Sequence, residues 1–323
     1  MRLIEAREVA AALPFDALIP ALRALLVQGC EAPPRLVLDL AGAEAAGRPD
    51  RAVTSLVMPA WVPGRFYGVK VINIAAGNGA RGLPGLHASY LLHDAVTGEP
   101  LALMDGNELT ARRTAAASAL AASWLARPDA SRLLVLGAGR IARLLPHAYR
   151  AVRPIAQVQV WARRPLAAQA LAEAWRSEGF VAEAVSDLAA AVPEADIVST
   201  ATASTEPLVR GQWLRPGSHL DLIGSFAPAM READDACLAG AALYLDSEEA
   251  LGKSGELLGP LARGVISADA VRGTLVQLAR AEVAGRSDAA ERTVFKSVGM
   301  ALEDLAAAMQ VWACVGGGDG APT

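Results

Sequence analysis

The segment Val135-Leu136-Gly137-Ala138-Gly139-Arg140-Ile141-Ala142 has the spacing G-x-G-x-x-G/A. In that arrangement the first glycine permits a tight turn and the second lets backbone approach a pyrophosphate. The small third residue lets a helix sit close to a sheet. The helix that follows turns free N–H groups and the positive end of its dipole toward phosphate. Small residues also serve plain turns, so the setting decides: an apolar strand stands before the motif and a strand–helix–strand pattern after it. The next strand ends Val160-Trp161-Ala162-Arg163-Arg164, with no acid. A carboxylate there binds the adenosine ribose hydroxyls and repels a 2′-phosphate, whereas arginines form forked, charge-assisted contacts with it. The pattern predicts NADPH in preference to NADH, which remains possible; otherwise the two arginines only solvate a loop. Thr200-Ala201-Thr202 ends a further apolar strand, at the sheet edge that faces ligand in open α/β folds. Thr200 and Thr202 are therefore candidate cofactor contacts, with turn capping as the alternative.

Other cations invite chemistry. Lys70 sits among apolar residues in Phe66-Tyr67-Gly68-Val69-Lys70-Val71-Ile72-Asn73-Ile74. Two readings stand: an amine reaching a sheet edge or water, or an amine at a cleft, tuned as a proton donor or substrate clamp. Arg112 and Arg113 fall near the start of a helix expected from the N-cap Thr110 to Pro128-Asp129, the end of the dipole that disfavours cations. One of them thus needs an anionic partner, either a substrate carboxylate or an internal acid. Arg35, after Pro33-Pro34, is a third candidate carboxylate fork, with a surface role as the equal alternative. His87 and His93 have no third ligand at metal-binding spacing, so no metal is expected. His147 and His219 complete no triad, and Ser199, Ser204 and Ser225 lack a nucleophile-elbow context. Asp221 reads as an internal polar partner.

The elements that position these residues follow from periodicity. Residues 1–30 read as a short strand and one helix carrying Leu13, Leu18, Leu22 and Leu25. Between 35 and 105, short β-prone runs alternate with Gly, Pro, Asn and Asp, predicting a small antiparallel sheet. From residue 132, continuous apolar runs alternate with helical stretches, which indicates a parallel sheet covered on both faces. Pro146 is expected to bend or shorten the helix after the glycine turn. The expected organisation is α/β: a β-rich domain over 1–115 completed by a C-terminal helix over 298–315, a Rossmann-type domain over 116–297, and a flexible tail over 316–323.

Composition sets the limits. The chain has 323 residues, 53% hydrophobic and 20% charged, enough apolar material for two cored domains and too much for intrinsic disorder. Thirty basic against 34 acidic residues give a net charge of −4, so no general attraction to nucleic acid is expected. Three scattered cysteines make no disulfide framework. No stretch reaches the ~20 apolar residues of a membrane span, and a cytoplasmic protein without membrane or nucleic-acid partners is expected.

Taken in order, GVKVINI, GLPGLHASYLLHDAVTGEPLALMDGNELTARRTAAASALAA, VLGAGRIA, ADIVSTATASTEP, GSFAPAMRE and TVFKSVGMALEDLAAA resemble the ornithine cyclodeaminase/mu-crystallin family over essentially residues 1–315. The resemblance implies an N-terminal substrate and homodimerisation domain and a C-terminal helix returning to it. It also implies Arg35, Lys70 and Arg113 as substrate-binding and active-site cations, Arg113 also near the cofactor. Gly137, Ala138, Gly139, Arg140, Ile141, Ala142, Ala162, Arg163, Arg164, Thr200 and Thr202 fall on the cofactor side. One departure points to a branch. Ornithine cyclodeaminases carry an aspartate in G-x-D-x-P-G-K-x-E, and here Gly224-Ser225-Phe226-Ala227-Pro228-Ala229-Met230-Arg231-Glu232 places Phe226 at that position. A phenyl ring accepts no proton and makes that side of a pocket apolar. The chain therefore resembles most the cyclic ketimine reductases, which reduce Δ1-pyrroline-2-carboxylate to L-proline and Δ1-piperideine-2-carboxylate to L-pipecolate with NADPH. Ornithine cyclodeamination with NAD and mu-crystallin-like binding of a small ligand are the alternatives.

Overall fold

The computed structural model describes residues 1–40 and 53–316. The chain divides into two units: Met1–Arg113 with Met300 onward, and Thr114–Gly299. Of the tail expected over 316–323, residues 317–323 lie outside the described residues.

The first unit is built on a six-stranded sheet in the order β1-β6-β5-β4-β3-β2. Its strands are β1 (Arg2–Ile4), β2 (Leu36–Asp39), β3 (Val53–Val62), β4 (Phe66–Ala75), β5 (Leu86–Asp94) and β6 (Pro100–Asp105). All neighbours are antiparallel except β1 and β6. Where one N-terminal helix was expected there are two, α1 (Ala6–Ala12) and α2 (Phe15–Gln28), with Pro14 as the N-cap of the second. Proline at this point ends one hydrogen-bond ladder and presets the entry to the next. The pair bends by 78°, and among the described residues no single helix is long and apolar enough to cross a membrane.

Helix α3 (Gly106–Leu125) starts four residues before the expected cap and ends before Pro128. Thr110 lies inside it, and the Asp105 carboxylate accepts from the Glu108 N–H at 2.7 Å in the capping role. Gly106 is required because a Cβ there would meet the Ala88 backbone at 2.6 Å. Helix α11 (Ala301–Val315) belongs to this unit and packs on α2, β3 and β4.

The second unit is an all-parallel sheet of eight strands in the order β13-β12-β14-β11-β10-β7-β8-β9. They are β7 (Arg132–Leu136), β8 (Gln157–Trp161), β9 (Val181–Ala184), β10 (Ile197–Thr200), β11 (His219–Leu222), β12 (Ala242–Leu245), β13 (Val271–Thr274) and β14 (Thr293–Lys296). The intervening helices are α4 (Arg140–Arg150), α5 (Pro165–Ser177), α6 (Leu188–Ala191), α7 (Asp235–Leu238), α8 (Glu249–Lys253), α9 (Gly255–Ala262) and α10 (Leu275–Ala279). Strands β10, β11, β12 and β14 are buried along their whole length, as expected of a sheet covered on both faces. From β7 the chain runs outward through β8 and β9, then returns to place β10 on the other side of β7. That reversal is the topological switch point where open α/β sheets bind ligands. Pro146 does not stop α4, which continues to Arg150.

Candidate functional site

In the second unit the glycine turn sits at the switch point. Gly137 has φ +118°, and a Cβ on it would lie 2.5 Å from the Ala201 carbonyl oxygen, so both conformation and space demand glycine. A Cβ on Gly139 would meet nothing within 4 Å, leaving open space above the N-cap of α4. Arg140 and Ile141 form the first turn of α4, and Ala142 is fully buried, letting the helix lie close. A cavity of about 360 Å³ opens here, bordered by Gly137, Ala138, Gly139, Ala162, Arg163, Arg164 and Thr202. Arg163 and Arg164 are exposed, and neither has an acidic partner among the described residues. An open anion cradle at a helix N-terminus beside two unpaired guanidinium groups fits the phosphates of a dinucleotide.

Thr200 is a correction. Its side chain is fully buried and does not line the cavity; its hydroxyl donates to Glu232 Oε2 at 2.8 Å. Thr202 does line it. Phe226, in the loop after β11, keeps 40% of its surface exposed.

In the first unit Lys70 occupies neither a sheet edge nor a water-facing position. It stands in the middle of β4, an interior strand, between Met58 of β3 and Tyr90 of β5, with 1% of its surface exposed. Its ammonium donates to Asp304 Oδ1 at 2.8 Å and lies 2.7 Å from Oδ2. Burial, then the neighbouring Arg113 charge, lowers its pKa from the ordinary lysine value to about 8, while Asp304 holds it up.

Arg113 is also buried. Its Nε donates to Asp304 Oδ1 at 2.8 Å and its Nη1 to Glu303 Oε2 at 2.5 Å. Arg112, one residue earlier, pairs with Glu108 at 2.7 Å. The anionic partners expected of this arginine pair are thus internal acids in both cases. Arg35 is half-buried just before β2. Two cations and two carboxylates make the Lys70–Arg113–Glu303–Asp304 cluster neutral, which keeps its burial affordable. Glu303 and Asp304 escape sequence reasoning because they read as ordinary first-turn acids of α11.

The remaining polar residues have structural partners. Asp221 accepts from Ser199, Tyr149 and Ser118, and burial raises its pKa to about 6. His219 meets the Thr293 hydroxyl at 2.9 Å, and burial lowers its pKa to about 3, so it is neutral near pH 7. His93 approaches the Gly98 carbonyl at 3.4 Å, and no group of three metal-ligating side chains occurs among the described residues.

Known proteins of similar sequence and structure bear on both units. The sequence model of the ornithine cyclodeaminase/mu-crystallin family matches residues 43–318. A Δ1-pyrroline-2-carboxylate reductase of Paracoccus denitrificans is 48% identical over 256 residues, 78% of this chain and 80% of that protein. The solved structure of Thermococcus litoralis Δ1-pyrroline-2-carboxylate reductase in complex with NADH and L-proline matches with a TM-score of 0.90. It is 31% identical, and the match covers 97% of each chain. An archaeal alanine dehydrogenase dimer with bound NAD matches with a TM-score of 0.87 at 28% identity, over 97% of this chain and 95% of that one.

Proposed function

The chain belongs to the ornithine cyclodeaminase/mu-crystallin family, and we propose that it is a cyclic ketimine reductase. It reduces Δ1-pyrroline-2-carboxylate to L-proline and Δ1-piperideine-2-carboxylate to L-pipecolate. The observation that carries this reading is Lys70, a fully enclosed ammonium held by Asp304 with a pKa of about 8. Such a group is mostly protonated at pH 7 and close enough to neutrality to give its proton up.

NADPH, when bound, supplies the hydride that adds to the imine carbon. The second unit binds it through the Gly137–Gly139 turn, with Arg163 and Arg164 as the forks for a 2′-phosphate, and NADH binds more weakly. In the first unit the Arg113 guanidinium, set by Glu303 and Asp304 and assisted by Arg35, orients the substrate carboxylate. A fixed planar fork suits that group better than an ammonium. Lys70 donates the proton to the imine nitrogen, which makes the adjacent carbon electrophilic. Protonation by Lys70 converts the substrate monoanion to a zwitterion and leaves the four side chains with one net negative charge, so the transfer does not change the total charge of the site. Phe226 supports reduction over cyclodeamination, since it offers no group to orient a second amine or a water.

The three cysteines are free thiols, which suits a reducing, cytoplasmic compartment. Strand β2, at an edge of the first sheet, exposes Leu36, Val37 and Leu38, and a second copy of the chain would cover that apolar strip in a homodimer.

The test is direct. Incubation with NADPH and either cyclic imino acid should consume the cofactor and yield the L-amino acid. No turnover of either across near-neutral pH, or release of ammonia from ornithine faster than imine reduction, would overturn the assignment.

A further inference from the structure

We propose that Glu232 is a positioning residue for nucleotide binding, one that sets the rim of the cavity without touching the cofactor. This rests on the reading of the cavity as a dinucleotide site. Glu232 ends the segment that begins at Gly224, and its side chain is completely buried. Both carboxylate oxygens are used twice. Oε1 accepts from the backbone N–H and the hydroxyl of Thr202, each at 2.7 Å. Oε2 accepts from the Thr200 hydroxyl at 2.8 Å and the Gly224 N–H at 2.7 Å. One carboxylate therefore ties together the chain leaving β10 and the chain leaving β11, the two strand ends on one side of the switch point.

The segment it pins is the one that faces the glycine turn. The Ala201 carbonyl and the Thr202 methyl lie against Gly137, and Thr202 lines the cavity. Thr202 in turn accepts from the Ser204 N–H at 3.2 Å, so its setting propagates along the rim. Glu232 itself is held from behind. Its N–H and that of Ala233 donate to the two oxygens of Glu256, each at 2.8 Å, and its carbonyl accepts from Leu208 and Val209. Lys296 supplies the buried positive charge among Glu232, Glu256, Asp246 and Asp221, and donates to the Leu222 carbonyl at 2.9 Å.

Glutamine at position 232 keeps the shape but offers one oxygen in place of two. Whichever way its amide is turned, either the Thr202 N–H or the Gly224 N–H then faces another donor. The rim must shift to relieve that clash, and nucleotide affinity reports the shift.

The experiment measures NADPH binding by fluorescence, together with melting temperature and steady-state constants. Glu232→Gln should weaken NADPH binding by about tenfold, the typical consequence of one orphaned buried donor. The imine KM at saturating NADPH should move less than twofold. Thr200→Val, buried behind the rim and away from the cavity, removes one bond to the carboxylate and should weaken NADPH by about threefold. Thr200→Ser restores the hydroxyl and should restore the affinity. If Glu232→Gln does not fold, the Thr200 pair decides the matter alone. Unchanged NADPH affinity in the folded variants, or an equal rise in the imine KM, would reduce Glu232 to a structural role and overturn the proposal. A wild-type protein that binds neither NADPH nor NADH would overturn the dinucleotide site itself, and the role of Glu232 with it.

Discussion

Replacing Asp304 with asparagine removes one negative charge at nearly constant shape, and its consequence can be worked out. The carboxylate lies 2.7 Å from the Lys70 ammonium, with both groups shielded from water. At an effective dielectric of ~20 the Coulomb attraction at that distance is about 6 kcal/mol, an upper bound. Losing one partner of a buried pair typically costs about 3–5 kcal/mol. At 1.36 kcal/mol per pKa unit that corresponds to roughly 2–4 units. The native Lys70 pKa is about 8, so the variant should titrate between roughly 4 and 6. The sign follows from the role proposed for Lys70 as acid. Activity needs its protonated form, so kcat/KM is level below the pKa and falls tenfold per pH unit above it. In the native enzyme the falling limb belongs near pH 8; in Asp304→Asn it should lie below pH 6. At pH 7 the protonated fraction drops from about nine-tenths to a tenth or less, and kcat/KM should fall at least tenfold. The imine substrate titrates too, but equally in both enzymes, so the difference between the profiles isolates the protein group. A variant whose limb stays near pH 8 would show that Lys70 is not the proton donor.

Arg163→Ala should lower kcat/KM with NADPH by roughly 5–150-fold, the loss of one charge-assisted phosphate contact, and leave that with NADH nearly unchanged. Installing aspartate at Ala162 should reverse the preference, whereas equal losses with both cofactors in Arg163→Ala would refute phosphate recognition. Light scattering should give twice the chain mass of 33.4 kDa, falling to one chain for Val37→Asp on the exposed edge strand; a native mass of 33.4 kDa would refute the homodimer.

What was legible in the sequence is what local chemistry dictates. The glycine turn could be placed because Gly137 needs a positive φ and must clear the Ala201 carbonyl, and no other residue type meets both demands. The parallel sheet was legible because strands buried on both faces must be apolar throughout. The two errors at helix starts had local causes that outweighed the pattern: Pro14 interrupts an otherwise continuous leucine rhythm, and Asp105 captures the cap that Thr110 suggested. Phe226 was readable only against a family pattern, since a phenylalanine in a loop carries no chemistry of its own.

The site's acids were hidden for a different reason, and the reason points to a signal. Glu303 and Asp304 lie 190 and 234 residues from the cations they hold, Arg113 and Lys70, so no spacing rule connects them. They also satisfy a local rule, as acids in the first turn of a helix, and nothing remains to be explained at that level. Yet residues 301–308 of α11 are buried without exception, and the two acids sit between Ala301-Leu302 and Leu305-Ala306-Ala307-Ala308. A helix turn with no polar side has no surface on which to display a charge. Two carboxylates there require cations from elsewhere in the chain, and the same unit holds Lys70 within an equally apolar strand. The second unit also buries charges in apolar sequence, Lys296 at the end of β14 and Glu232 at the end of the Gly224 segment, but there the carboxylate is met by N–H and hydroxyl donors. A charge stranded in apolar sequence signals partners elsewhere in the chain, and the fold decides whether those partners are opposite charges or a set of hydrogen-bond donors.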